Sequence, residues 1–198
     1  EGLADLMVHL QNRGCHNINF VTPSHVIVQI LEALPIAVER GLEVPLVYNT
    51  GGYDRVAALK LLDGIVDIYM PDFKFWDPGV ASELCNAPDY PQRARDALRE
   101  MHRQVGDLRT DGAGIAYRGL LVRHLVLPQG LAGTGDVLGF LARELSTNTY
   151  VNVMDQYHPC GNAVGSPQMG RRVTGKEFGE ALRMAEEAGL TRLDQRHR

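Results

Sequence analysis

Apolar positions along the chain change period repeatedly, and each change marks an element. Leu3, Leu6, Met7 and Leu10 recur at helical spacing with Gly14 behind them, so the pattern predicts an amphipathic helix over 3–13. The run Asn17-Ile18-Asn19-Phe20-Val21 predicts a strand that leaves through the polar Thr22-Pro23-Ser24-His25, and a helix over 25–40 follows, ending at Gly41. A second strand over 44–48 leaves through Asn49-Thr50-Gly51-Gly52-Tyr53 into a helix over 54–62. A third, over 65–69, leaves through Met70-Pro71-Asp72-Phe73-Lys74-Phe75-Trp76. The Pro-, Asn- and Asp-rich stretch up to Pro91 reads as a loop, 91–105 as a long charged helix, and 107–114 as turn material. A strand over 120–127, a helix over 135–145 and a strand over 150–154 come next. After a loop over 161–173, Thr174 caps a last helix to Ala188, with Glu177 as the third residue of a capping box.

Strands and helices thus alternate strictly, with at least five strands and no hairpin signal. That order predicts an α/β fold with a parallel sheet and helical crossovers. A doubly wound sheet and a β/α barrel both fit, and both bind ligands at the carboxyl ends of their strands. No strand is followed by a GxGxxG or GxxxxGK[ST] turn, and all five exits carry polar, Gly or Pro residues. The expectation is therefore a partial, open, TIM-like arc of barrel with one shared mouth.

Composition narrows the function classes. With 198 residues, 44% hydrophobic and 22% charged, the chain has material for one sizeable core and reads as a single domain over 1–198. A net charge of −4 and a pI near 6.0 offer no electrostatic footprint for nucleic acid or an anionic membrane. Only the end, Arg192 to Arg198, is locally basic, and it reads as a solvated tail. Three scattered cysteines, Cys15, Cys85 and Cys160, form neither a disulfide framework nor a metal pair, which predicts a reducing, cytoplasmic setting. No long apolar run and no signal peptide stand out. Because the chain starts at Glu1 without Met, its natural N-terminus is expected upstream.

The predicted mouth gathers Thr22, Ser24, Asn49, Thr50, Met70, Asp72, Lys74, Arg123, Asp155, Gln156 and Tyr157. Asp72 and Lys74 lie two residues apart on an extended segment and so point the same way. Arg123 interrupts an apolar strand, where a charge is costly unless it is paired or functional. A structural ion pair with Asp72 or Asp155 and a ligand-binding role are both open at this point. His16, His25, His124 and His158 show no ligand spacing and read as solvated, capping or packing residues.

Five segments carry a resemblance: Gly14 to His25, Leu46 to Asp54, Asp67 to Trp76, Leu121 to Pro128 and Tyr150 to Tyr157. In that order they closely resemble radical S-adenosylmethionine proteins of the pyruvate formate-lyase activating enzyme family, across essentially the whole chain. The resemblance implies a partial β/α barrel that binds S-adenosylmethionine and a 4Fe-4S cluster. It also implies reductive cleavage of that cofactor to a 5'-deoxyadenosyl radical for hydrogen abstraction. The implied partners are a protein carrying a glycyl-radical site and a reductant such as flavodoxin or ferredoxin. By position, Thr22 and Ser24 fall at the turn that receives the cofactor's amino group. Asn49, Thr50, Met70 and Asp72 match a monovalent-cation and cofactor-carboxylate site. Lys74 and Arg123 match cationic contacts, and Tyr157 falls where activating enzymes carry a His near the adenosine. The family's CxxxCxxC loop has no counterpart, so the first strand and the cluster ligands are expected upstream of residue 1. Two other readings stay open: a metal-independent barrel lyase or isomerase using Lys74, and a noncatalytic remnant that binds adenosine-type ligands.

Overall fold

The computed structural model describes residues 1–194. Helix α1 (Gly2–Asn12) ends at Arg13, and Gly14, at φ +87°, lets the Cys15 N–H reach back to the Leu10 carbonyl in a glycine-capped turn. Strand β1 (Ile18–Val21) leads through a 3-10 turn over Pro23–His25 into α2 (Ile27–Glu39). The strands β2 (Leu46–Thr50) and β3 (Ile68–Pro71) follow, with the short α3 (Val56–Lys60) between them. Then come α4 (Pro78–Cys85), α5 (Tyr90–Val105), β4 (Arg109–Thr110) and the long β5 (Ala116–Leu125). The chain closes with α6 (Thr134–Phe140), running into a π turn over Leu141–Leu145, then β6 (Tyr150–Met154) and α7 (Gly175–Glu187).

The parallel strands stand in the order β1-β2-β3-β5-β6, the order in which the chain makes them. A right-handed crossover always returns on the same side of a sheet, so unreversed order places the helices on one face. The side chains agree. Ile18, Leu46, Tyr48, Tyr69, Leu120, Val122, Val151 and Val153 pack with the helices, whereas Val47, Ile68, Met70, Leu121 and Tyr150 form a separate cluster with Leu108 and Ala116 on the opposite, open face. The expected α/β class is present, and the sheet is mostly parallel, with β4 paired antiparallel to β5. The sheet stays open among the described residues, with β1 paired to β2 alone, so no closed barrel is formed.

Several boundaries differ from the sequence reading. Residues 77–91 are no plain loop, because Asp77 accepts from the Val80 N–H and Pro78 opens helix α4 at its first position. The 107–114 turn carries strand β4, paired antiparallel to the start of β5 in a hairpin that the even strand–helix alternation concealed. Asn49, Thr50 and Pro71 belong to strands rather than exits, because their backbone ladder continues past the apolar run. The expected solvated tail is partly structural: the Val151 N–H donates to the Arg192 carbonyl and the Asp194 N–H to the Val151 carbonyl, so this segment covers the outer edge of β6. Gln195 to Arg198 lie outside the described residues. The capping box on α7 forms as expected, with Thr174 and Glu177 bonding reciprocally.

Candidate functional site

At the carboxyl end of β3 the ladder runs on past the strand. The Asp72 N–H donates to the Thr50 carbonyl and the Phe73 N–H to the Arg123 carbonyl, both at 2.9 Å. Asp72 and Arg123 thereby become cross-strand partners, and strand alternation turns both side chains to the open face. Arg123 then joins three strands. Its Nε donates to Asp72 Oδ1 at 2.8 Å and its Nη2 to Asn49 Oδ1 at 2.9 Å. Lys74, two residues beyond Asp72, brings its ammonium to the other carboxylate oxygen. The Arg123 and Asp72 side chains are 27% and 16% exposed, so the pair sits at the border of solvent rather than in the core. The expected alternatives are resolved in one respect: Arg123 pairs with Asp72, while Asp155 is exposed.

Beside this cluster lies a cavity of about 260 Å3, lined by Asp72, Lys74, Phe75, Arg123, Leu125, Leu127, Met154 and Gln156. Apolar walls with a few convergent charges are the usual makeup of a small-molecule site, and this volume accommodates one polar end of a larger ligand. Two positive charges against one negative charge leave a surplus positive charge suited to a carboxylate.

The turn after β3 is held by two features. Tyr90 lies almost wholly buried with its hydroxyl 2.9 Å from the Gly51 carbonyl and 3.1 Å from that of Asp72, and it accepts from the Lys74 N–H at 2.9 Å. Burial pushes the Tyr90 phenol well above its ordinary range, so the bridging proton stays on. Gly52, at φ +78°, passes so close that a Cβ there would lie 2.2 Å from the Asp72 carbonyl oxygen. From the helix side, the fully buried His124 has Nδ1 2.7 Å from the Phe73 carbonyl and Nε2 2.9 Å from Thr134 Oγ1. The Phe73 contact assigns the ring proton to Nδ1, so Thr134 donates to Nε2. Burial drives the His124 pKa down to about 4, against the weaker upward pull of the Phe73 carbonyl.

Other expected site residues lie elsewhere. Thr50 and Ser24 turn their hydroxyls to the buried Asp54, each at 2.6 Å, and the Tyr48 hydroxyl joins them at 3.0 Å. Thr22 is exposed, in a left-handed conformation, with its N–H on the Asn49 carbonyl. Met70 packs in the open-face apolar cluster. Tyr157 donates to the Met169 carbonyl at 2.9 Å and packs on the helix-side core, so it does not line the cavity. The four expected cation ligands therefore do not converge: Thr50 serves Asp54, and oxygens of Asn49 and Asp72 already receive Arg123. Sequence reasoning missed Asp54, which looked like a helix start, and Tyr90, which looked like loop. It also passed over Asn152, a polar interruption of the apolar strand β6 of the same kind that drew attention to Arg123.

Cys15, Cys85 and Cys160 are all exposed free thiols, and among the described residues no three His, Cys, Asp or Glu side chains gather as metal ligands. An iron–sulfur cluster accordingly does not fit the described residues. No helix among the described residues is long and apolar enough to cross a membrane.

No family model matches the chain. An uncharacterized protein of Methanocaldococcus jannaschii is 32% identical over 177 residues, covering 88% of this chain and 47% of that protein. The chain thus spans about half the length of the curated relative it matches. Among solved structures, a domain of pyruvate-formate lyase-activating enzyme from Bacteroides vulgatus superposes with a TM-score of 0.61 over 90% of this chain and 96% of that one, at 13% identity. At that identity the likeness establishes a shared fold.

Proposed function

We propose that this chain is the cofactor-holding part of a radical S-adenosylmethionine enzyme of the activating-enzyme type, and that the Asn49–Asp72–Lys74–Arg123 cluster binds S-adenosylmethionine. The observation that carries this reading is the Arg123 guanidinium tying Asn49 and Asp72 together at three adjacent strand ends, beside a cavity with a surplus positive charge. The shared fold with an activating-enzyme domain supports it.

The roles of the residues follow from their chemistry. Lys74 is half exposed at the cavity rim and can turn from Asp72 to an entering carboxylate, while Arg123 stays in place as the fixed charge behind it. Asp72, freed on one oxygen, then accepts from an ammonium or hydroxyl of the same ligand. Phe75, Leu125, Leu127 and Met154 exclude water and strengthen these charge contacts. Thr22, Ser24 and Tyr157 need rearrangement to touch the ligand, because Ser24 and Tyr157 already bond protein groups and Thr22 is outside the cavity. The chemistry that bound S-adenosylmethionine supplies in such enzymes is hydrogen abstraction following reductive cleavage, while the protein positions and shields it.

The proposed partners are a protein substrate with a glycyl-radical site and a flavodoxin- or ferredoxin-type reductant. The test uses the parent protein, meaning the longer enzyme proposed to carry this chain together with cluster ligands of its own, anaerobically supplied with iron and sulfide, reduced, and analysed for 5'-deoxyadenosine. Formation of that product supports the reading. Its absence from a preparation whose cluster is spectroscopically intact counts against it.

A further inference from the structure

One row of side chains across the open face is Asp72 on the extension of β3, Arg123 on β5 and Asn152 on β6, set side by side by the strand register. Arg123 directs its hydrogen bonds toward β3 and β2, to Asp72 and Asn49. On its other flank, the Asn152 Oδ1 is shut off from water and has no hydrogen-bond partner among the described residues. A buried acceptor without a donor is destabilising, and native proteins leave few of them. The same-face neighbours of Asn152 along β6 are Tyr150 and Met154, and Arg123, directly across on β5, gives its hydrogen bonds to Asp72 and Asn49 instead.

The cavity lies next to the amide: Asn152 is not part of its wall, but its cross-strand partner Arg123 and its strand neighbour Met154 are. The wall includes Arg123, Leu125, Met154 and Gln156. Met154 is the next residue after Asn152 on the same face of β6, and it is tied only loosely to Gln156, whose Nε2 lies 3.3 Å from the Met154 Sδ. Two unbranched side chains held by a weak contact are easily parted by an entering molecule.

We propose that Asn152 is a ligand-binding residue of this site. Its Oδ1 receives an N–H or O–H donor from a small molecule whose anionic group sits on Arg123 and Lys74, once that molecule has parted Met154 from Gln156. The inference rests on the S-adenosylmethionine reading above. That cofactor carries suitable donors at two places, the ammonium beside its carboxylate and the ribose hydroxyls.

Calorimetric titration of the parent protein and its Asn152→Leu and Asn152→Ala variants with S-adenosylmethionine, L-methionine and 5'-methylthioadenosine tests the assignment, with thermal unfolding of each variant alongside. Asn152→Leu is expected to bind S-adenosylmethionine about 3- to 10-fold more weakly, the net worth of one hydrogen bond. Its unfolding midpoint is expected to equal or exceed that of the parent. A loss shared by L-methionine assigns the donor to the ammonium, and a loss shared by 5'-methylthioadenosine assigns it to the ribose. Unchanged affinity in both variants overturns the assignment, as does a lowered midpoint with unchanged affinity, which marks a purely structural amide. If the parent binds none of the three compounds, the cofactor reading falls together with the assignment. If the parent binds and the variants bind equally, only the assignment falls.

Discussion

Arg123 reaches Asp72 with two nitrogens, Nε at 2.8 Å and Nη2 at 2.7 Å from the same carboxylate oxygen, and so binds β5 to the exit of β3. Because both side chains are partly exposed, solvent weakens the pair relative to a buried one. Asp72 also keeps Lys74 when the guanidinium is removed. Arg123→Met is therefore expected to cost about 1–2 kcal/mol of stability, below the ~3–5 kcal/mol of breaking a fully buried pair. Urea unfolding checks this, and an unfolded variant contradicts it.

Gly52 must remain a glycine for two separate reasons, its positive φ and the Asp72 carbonyl that a Cβ would strike. Gly52→Ala is expected to lose about 2–4 kcal/mol, combining the left-handed backbone cost with local overpacking. Gly14 and Gly41 also have positive φ but face open space, so alanine there meets the backbone cost alone. Comparing the three variants by denaturant unfolding separates the two contributions.

Tyr90 acts on the same turn through its hydroxyl. Tyr90→Phe keeps the ring packing against Phe75 and Tyr53 but leaves the Lys74 N–H and one of two carbonyls without a partner. The expected cost is about 1–3 kcal/mol. Amide hydrogen exchange at Lys74 should accelerate relative to that of strand β6, which the substitution does not touch.

His124 makes stability pH-dependent. In the unfolded chain it takes up a proton near pH 6.5, whereas in the folded chain burial delays protonation to about pH 4. Between these values the unfolded state binds more protons, so its stability contribution is intact above about pH 6.5 and falls as pH drops toward 4. The total is on the order of 3 kcal/mol. His124→Gln cannot titrate, so the difference between parent and variant unfolding free energies should narrow over this window. A constant difference contradicts the assignment of the buried ring as neutral.

The sequence made some of this legible and hid the rest for physical reasons. Strand β6 is found at residues 150–154, where the apolar run and the backbone ladder coincide. At β2 and β3 they do not coincide: Asn49, Thr50 and Pro71 pair through the backbone whatever their side chains, and hydrophobicity is silent about that. Helix α4 did leave a local signal, Asp77 followed by Pro78, which the richness in turn residues obscured. Among site residues, Asp72, Lys74 and Arg123 stood out because charge at an apolar strand or its exit is costly, and the fold brings them together with Asn49. The capture of the Ser24 and Thr50 hydroxyls by Asp54 depends on distances across three segments, which no spacing within one of them reports.

Whether the Asp72–Arg123 cluster holds S-adenosylmethionine is decided by calorimetric titration of the parent protein beside its Arg123→Met variant. Saturable binding to the parent is expected, weakened at least about 10-fold in the variant, the scale of one charge-assisted contact. Equal affinity in parent and correctly folded variant, or no binding by the parent, would contradict it.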